Sequence, residues 1–398
     1  MHPPLVMMDS RHLLARLGLV VMLGALFLTV LSVPVFAIAP GDALKLVRAE
    51  ADPVIDFDHP DCRDNKYGFE GGLAVKVDGT YHLFVAEMYG DAFWIAMRLA
   101  HWTSPDALHW KRASTLLQSD GVPSATNARM CFWSPFPLYD EAEGRWTLFY
   151  VSYRGPRPDE KGGHNDGKIW RAVSAVPGRG GIGGPYKDDR VILEKDAASE
   201  PWEGQQGVDS FFPYRVGDRW VALYGGHNYT PISPWRVGLA TAPSMQGPWT
   251  RLPELNPSPI EPMFIENPIV YHFDDGPYLA IYDNCPERPP EVPDVGAYYG
   301  KEAYHIGYAF SADGLHWMRG RSAPVIPPGS TTWSMDARTP LCLIPEENGE
   351  FTMLYTAQRS DRKFWSVGLA RMRFENPTGS VRKTRGGRLP SAGQDGQN

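Results

Sequence analysis

Four acidic side chains occupy one position of a pattern that the chain repeats five times. The position is held by Glu70, Trp133, Asp209, Glu266 and Asp336, which follow one another at intervals of about 57 to 76 residues. Two carboxyl groups of different acidity, held on either side of a bond, can protonate a leaving oxygen and activate a water molecule. The pattern therefore predicts acid–base chemistry by carboxyl groups, provided that the fold brings this position together.

Each copy of the pattern reads as a short strand, a polar turn and a second strand that begins with an aromatic residue. The second strands begin at Tyr81, Trp146, Trp220, Tyr278 and Phe351. A repeat of this size with several short strands per unit is typical of β-propeller blades. The first strand of each blade lines the central axis, so the repeated position would face one funnel. We therefore predict an all-β fold, a five-bladed β-propeller with four-stranded antiparallel blades.

Composition agrees with many short strands and excludes one class of partner. The 398 residues include 37 Pro and 40 Gly, and 43% are hydrophobic, which leaves little room for long helices and enough apolar residues for a core. The formal net charge is −7, and no stripe of basic residues alternates with aromatic ones. Nucleic acid is therefore not an expected partner, because phosphate contacts need a basic surface.

The N-terminus resembles an export signal. Arg11 and Arg16 precede an uncharged run over residues 17–40, and Ala37 offers a small residue for cleavage. We predict a signal peptide over residues 1–37, a catalytic propeller over 38–374, a disordered polar tail over 375–398, and a periplasmic or secreted monomer. The alternative is an uncleaved anchor, the one case in which membrane contact is expected.

The four cysteines predict neither a metal site nor a fixed disulfide pattern. Cys62, Cys131, Cys285 and Cys342 are widely separated and form no CxxC pair. An exported protein could oxidise them in three alternative pairings, and buried free thiols are an equal alternative. No close spacing of His, Asp and Glu suggests a metal, and no cofactor is expected.

In these motifs the chain resembles the five-bladed propeller glycosidases, above all glycoside hydrolase family 43 and less closely family 32. Members of family 43 carry an Asp in blade one, Trp-Ala-Pro in blade two, an Asp in blade three and Glu-Gly-Pro in blade four. This chain has Trp133-Ser134-Pro135, Asp209 and Glu266-Asn267-Pro268 in that order. The resemblance covers roughly residues 56–374 and implies that Glu266 is the general acid and that Asp209 tunes it.

The first acid departs from the family pattern. Glu70 stands where the family has an Asp followed by Pro, and its side chain is one methylene longer. The resemblance implies that Glu70 activates water or attacks carbon. Four acids on the preceding segment are possible substitutes, namely Asp56, Asp58, Asp61 and Asp64.

Other polar and aromatic residues are candidates for substrate binding. Trp133 could stack on a sugar ring or pack in the core. Asp336 and Arg338 share a strand face, so they could pair with each other or grip a sugar hydroxyl. His227 follows a second strand and could reach the rim or be structural. The inserts Arg154–Lys168 and Asn284–Glu302 are expected to rim the funnel.

These observations predict an exported glycoside hydrolase that acts on a polysaccharide or oligosaccharide, with furanosides such as arabinan favoured by the resemblance. A phosphorylase or transglycosylase on the same fold is a second interpretation. A phosphorylase would need a basic pocket for phosphate, and Arg338 by itself is weak evidence for such a pocket. A propeller that binds carbohydrate without catalysis is a third interpretation, since fold does not fix function.

Overall fold

The computed structural model describes residues 43–160, 163–274, 276–285, 304–320, 324–335 and 338–375. Within them the chain forms five antiparallel sheets arranged as the blades of a five-bladed β-propeller. Blade I contains β2 (Phe69–Val77), β3 (Thr80–Met88), β4 (Met97–Ser104) and β5 (Lys111–Gln118). Blade II contains β6 (Cys131–Asp140), β7 (Arg145–Arg154), β8 (Asn165–Ser174) and β9 (Tyr186–Glu194). Blade III contains β10 (Asp209–Val216), β11 (Arg219–Gly226), β12 (Arg236–Ala242) and β13 (Thr250–Arg251).

The remaining blades follow the same order until the ring closes. Blade IV contains β14 (Ile265–His272), β15 (Tyr278–Asn284), β16 (His305–Ser311) and β17 (Trp317–Arg319). Blade V contains an inner strand broken into β18 (Thr339–Pro340) and β19 (Ile344–Pro345), then β20 (Glu350–Gln358) and β21 (Trp365–Glu375). Its outer strand is β1 (Ala43–Ala49), which pairs antiparallel with β21. The ring is thus closed by a strand that lies before the first repeat.

The aromatic second strands lie in the middle of the blades and are buried. All seven residues of β15 are buried, as are all but the first of β11. Aromatic side chains also join neighbouring blades. The rings of Phe136 and Phe212 meet edge to face at 5.7 Å, and those of Tyr271 and Phe351 at 5.1 Å. Edge-to-face pairs of this kind add to the stabilisation from burying the rings.

A β-bulge follows the repeated position in each of the first four blades. The pairing register shifts there in β2, β6, β10 and β14. The residue after the repeated position has a positive φ in all four: Gly71 (61°), Ser134 (47°), Ser210 (49°) and Asn267 (48°). Bulges bend a strand and redirect its side chains, and they are frequent next to active sites. Here they recur beside Glu70, Trp133, Asp209 and Glu266.

Helical structure in the described part of the chain is confined to short 3₁₀ turns, at Pro60–Cys62, Arg179–Gly183, Pro201–Glu203 and Pro253–Leu255. A search of the same residues finds no helix with the length and apolar character needed to cross a membrane. All four cysteines are buried, and Cys62, Cys131 and Cys342 form no disulfide within the described residues, which favours the buried-thiol alternative for these three. The predicted signal peptide lies outside the described residues, as do Asp336, most of the insert Asn284–Glu302 and all but the first residue of the predicted tail.

Candidate active site

A cavity of about 290 Å³ lies where the bulged inner strands come together. Its walls include six of the residues singled out in the sequence: Glu70, Trp133, Asp209, His227, Glu266 and Arg338. The repeated position of blades I to IV therefore does converge on one site. Asp336 belongs to the residues that the structure does not describe, so its predicted place here stays a prediction.

Asp209 and Glu266 form a carboxyl pair in which Asp209 is buried and Glu266 is partly buried. Asp209 is the first residue of β10 and is 3% exposed; it accepts hydrogen bonds from Gln206 Nε2 (3.2 Å) and the Ser210 amide (2.6 Å). Burial raises the pKa of Asp209, although hydrogen bonds from Tyr153 and Ser210 act in the opposite direction. Burial also raises the pKa of Glu266 well above its ordinary value, and the charge of Asp209 raises it further. Glu266 therefore holds the proton of the pair, as a general acid requires.

Glu70 enters the cavity from blade I in a different environment. Its Oε1 accepts a hydrogen bond of 2.6 Å from the hydroxyl of Thr339, and its Oε2 is buried without a hydrogen-bond partner among the described residues. An ionised carboxylate can accept further hydrogen bonds, and Glu70 is one of the residues that line the cavity. The site thus contains one carboxyl that donates a proton and one that accepts.

Arg338 lies between these carboxyl groups. Its Nε is 3.9 Å from Glu70 Oε1, and its second terminal nitrogen is 3.8 Å from Glu266 Oε2. Its guanidinium also lies over the ring of Tyr304, 4.9 Å from the ring centre. Glu70 Oε1 and Glu266 Oε2 contact the same guanidinium. The distance between these two oxygens is therefore at most the sum of the two contact distances and the width of the guanidinium group. That limit admits the spacing of both inverting pairs (~6.5–9.5 Å) and retaining pairs (~5–5.5 Å).

A fifth ionisable group, Asp283, was not identified from the sequence. It lies on β15 directly across from Glu266 in the antiparallel ladder and is fully buried. Its Oδ2 is 3.0 Å from the Thr339 hydroxyl, 3.3 Å from Asn267 Nδ2 and 3.9 Å from Arg338 Nε. The one signal in the sequence is an acid near the end of an otherwise apolar strand, Tyr278–Asn284.

Aromatic side chains form one wall of the cavity. The rings of Trp94 and Trp133 meet edge to face at 6.4 Å, and the ring of His164 meets that of Trp133 at 5.5 Å. The Nε2 of His164 lies 3.0 Å from the carbonyl oxygen of Trp94 and donates to it. Trp94 remains 37% exposed, so a flat face is available at the mouth. A wall of this kind can stack on a sugar ring.

Trp94 and His164 were not among the residues singled out in the sequence. Trp94 lies between β3 and β4, in a stretch without a repeated motif. His164 lies in the insert Arg154–Lys168, which was expected to rim the funnel, and His164 does line the cavity. Nothing in the sequence distinguished His164 from the other residues of this insert.

The opposite wall contains His227. Its ring stacks on that of Trp235 at 4.6 Å and meets that of Tyr229 edge to face at 4.9 Å. Burial lowers the pKa of His227 to about 4, so the ring is neutral at physiological pH. His227 lines the cavity, and its role in substrate binding stays a prediction. Its neutral, stacked ring suits contact with an uncharged ligand better than acid catalysis.

The four upstream acids proposed as substitutes for Glu70 do not line the cavity. Asp56 pairs with Arg359 and accepts a hydrogen bond of 2.7 Å from Ser366. Asp64 pairs with Arg98 at 2.7 Å. Of the blade I acids in the described part of the chain, Glu70 is the one that faces the site. Within the described ranges of the chain, no group of three or more His, Cys, Asp or Glu side chains is arranged to hold a metal ion.

Solved structures share this architecture at low sequence identity. A structure of BT0996 in complex with RGII superposes with a TM-score of 0.61 and 15% identity, covering 87% of this chain and 96% of its own. The GH62 α-L-arabinofuranosidase of Coprinopsis cinerea gives 0.57 and 13%, covering 86% and 99%. The α-L-arabinofuranosidase PaAbf62A of Podospora anserina, in complex with cellotriose, gives 0.53 and 12%, covering 81% and 95%. These likenesses confirm the five-bladed propeller expected from the resemblance.

Sequence comparison gives a narrower match. No family model matches the chain. Over 105 residues it is 30% identical to ecdE of Aspergillus rugulosus, a protein named provisionally as a glycosyl hydrolase. That match spans 24% of this chain and 15% of ecdE. The chain therefore matches only a small part of this curated relative.

Proposed function

We propose that this protein is a glycoside hydrolase in which Glu266 protonates the leaving oxygen and Glu70 activates water or attacks the anomeric carbon. One observation carries the proposal: a partly buried carboxyl with a strongly raised pKa, Glu266, and a carboxyl fixed by a hydrogen bond, Glu70, line the same cavity. Glycoside cleavage needs this division between two carboxyl groups. Asp209 supplies the charge that maintains the proton on Glu266.

The cavity lining favours a neutral sugar at the reaction centre. Arg338 is the one side chain with a permanent positive charge among the described residues that line the cavity, and it already faces Glu70, Glu266 and Asp283. A carboxylate or sulfate on the sugar would meet net negative charge. The α-L-arabinofuranosidases among the structural neighbours support a furanoside, such as an arabinofuranoside, as the first candidate.

The alternatives have less support. A phosphorylase needs positive charge for its phosphate co-substrate, and the three acids around Arg338 oppose it. A binding protein without catalysis has no need for several buried carboxyl groups, which are costly to desolvate. No observation favours a transglycosylase over a hydrolase.

A panel of aryl furanosides and pyranosides tests the proposal directly. We expect release of the aryl group from at least one neutral glycoside, and loss of that activity in Glu266→Gln. An arabinan or arabinoxylan digest analysed by chromatography would then show whether polymers are also cleaved. Binding of oligosaccharide without cleavage of any glycoside in the panel would favour the non-catalytic alternative.

A further inference from the structure

The hydroxyl of Thr339 lies between two carboxyl groups. Its Oγ1 is 2.6 Å from Glu70 Oε1 and 3.0 Å from Asp283 Oδ2, and all three groups are buried. A hydroxyl has one proton to donate. If both carboxyl groups were ionised, one of these two contacts would bring a hydroxyl lone pair against a negative oxygen. One of the two carboxyl groups must therefore carry a proton and donate it to Thr339.

Burial identifies Asp283 as the protonated partner. Asp283 is 0% exposed, whereas Glu70 is 5% exposed and lines the cavity. Each carboxyl group has one buried oxygen without a hydrogen-bond partner in the described part of the chain, Glu70 Oε2 and Asp283 Oδ1. Glu70 lines the cavity, whereas Asp283 is not among the lining residues, so Asp283 is the group that is farther from compensation by solvent or ligand. An ionised carboxylate in that position would leave one charged oxygen without compensation, which is far more costly than leaving a neutral one.

The surrounding charges lead to the same assignment. Glu70 approaches from β2, Glu266 from β14, and Arg338 from the segment before β18. With Glu266 protonated, the guanidinium of Arg338 can balance the charge of only one of the other two carboxyl groups it faces, Glu70 and Asp283. Burial raises the pKa of Asp283 well above its ordinary value, and the charge of Glu70 adds to this although Arg338 acts against it.

We propose that Asp283 is a neutral carboxylic acid that positions Glu70 through Thr339. The Asp283 hydroxyl donates to Thr339 Oγ1, and the Thr339 hydroxyl consequently donates to Glu70 Oε1. No proton leaves the chain of three groups in this resting arrangement. The result is a Glu70 carboxyl group that lines the cavity and whose Oε1 is fixed by Thr339. The catalytic meaning of this arrangement rests on the proposed function, whereas the location of the proton does not.

Infrared spectroscopy locates the proton without any activity measurement. At neutral pH a protonated carboxyl absorbs apart from carboxylates and amides. We expect the difference spectrum between the wild-type protein and Asp283→Asn to show the loss of one protonated-carboxyl band. Loss of a carboxylate band instead would overturn the proposal. Asn keeps the size of Asp and can donate to Thr339, so this variant is suited to remain folded.

Kinetics tests the positioning role once a substrate is found. An Asn at position 283 can still donate to Thr339, and a Leu cannot. We expect kcat of Asp283→Leu to fall about threefold to tenfold below that of Asp283→Asn, the size of one lost hydrogen bond between neutral groups. Thr339→Val removes the hydrogen bond to Glu70 itself, so its kcat should fall about tenfold or more below that of Thr339→Ser, with the acidic limb of the pH profile moved to higher pH. Equal kcat values and unmoved pH limbs within each pair would contradict the positioning role.

The two tests also separate this inference from the proposed function. A wild-type protein without activity on any glycoside would refute the hydrolase, while the infrared result would still decide the charge of Asp283. Activity with an ionised Asp283 would preserve the hydrolase and refute the relay.

Discussion

The guanidinium of Arg338 lies 3.8 Å from Oε2 of Glu266, too far for a strong hydrogen bond and close enough for strong attraction. Burial and the charge of Asp209 both raise the pKa of Glu266, and the positive charge of Arg338 lowers it. The contact with Arg338 therefore limits how far the pKa of Glu266 is raised. Glu266 is thus held protonated yet able to release its proton during turnover. A general acid needs both properties.

Replacement of Glu266 separates catalysis from stability. We expect Glu266→Gln to reduce kcat by about 10²–10⁴-fold, the usual contribution of a general acid. Its melting temperature should be unchanged or higher, because one of several crowded carboxyl groups is removed. Activity assays and thermal unfolding check the two parts.

Glu254→Gln is the matched control, since the same chemical change is made at an exposed residue outside the cavity. It should leave kcat and the melting temperature as in the wild-type protein. A Glu266→Gln protein that unfolds more easily but keeps its specific activity would make Glu266 a structural residue.

The raised pKa of Glu266 has a consequence for stability against pH. The folded protein holds this proton more tightly than the unfolded chain, in which the pKa of Glu is about 4.3. The contribution to stability is therefore complete below about pH 4 and is lost as the pH rises toward the folded-state pKa. The Glu266→Gln variant has no carboxyl group at this position, so its stability does not include this pH-dependent contribution.

We therefore expect the melting temperature of Glu266→Gln, relative to wild type, to increase between about pH 4 and pH 8. Thermal unfolding of both proteins across that range measures the difference. A constant difference would mean that Glu266 titrates alike in the folded and unfolded states.

Charge around the cavity should select against anionic sugars. At about 4 Å and an effective dielectric constant of 20, one unbalanced charge pair is worth about 4 kcal/mol. We expect kcat/KM for a neutral aryl glycoside to exceed that of the corresponding uronide by about 100-fold or more. Arg338→Met should increase the ratio of kcat/KM for the neutral glycoside to kcat/KM for the uronide, because it removes the positive charge that partly neutralises the carboxyl groups. Comparable rates for the two substrates would show that the acids do not face the bound sugar.

The aromatic wall should affect binding more than chemistry. Trp133 and Trp94 offer flat faces at the cavity, and loss of an aromatic contact costs about 1 kcal/mol beyond the loss of buried area. We expect Trp133→Ala to raise KM several-fold with a smaller effect on kcat, and Trp133→Phe to recover most of the loss. A change confined to kcat would place Trp133 at the reacting atoms.

The sequence was sufficient to predict the blades and the repeated position in blades I to IV. Both depend on local features: strand alternation, polar turns and aromatic second strands recur with each blade. The residue after the repeated position adopts a positive φ at Gly71, Ser134, Ser210 and Asn267. Gly and Asn are frequent in that conformation, whereas Ser gives little indication of it.

Contacts between blades could not be predicted in the same way. Asp283 reaches Thr339 and Arg338 because the bulge in β14 sets its pairing with Glu266, and a one-residue change of register would turn it away. Trp94 and His164 reach the cavity from irregular segments, whose placement depends on tertiary packing. The closing strand β1 precedes the first repeat, so the repeat pattern contains no information about it.

The stereochemical course is the last prediction. The family that the chain resembles inverts, which requires space for water between the base and the sugar. Glu70 is one methylene longer than Asp, which favours a shorter separation, but its Oε1 is held back by Thr339 at 2.6 Å. That contact keeps the carboxylate from advancing freely into the cavity, so we expect inversion with Glu70 as the base. Proton NMR of the first-formed sugar identifies its anomer. Net retention, or a glycosyl adduct on Glu70 detected by mass spectrometry, would instead make Glu70 the nucleophile.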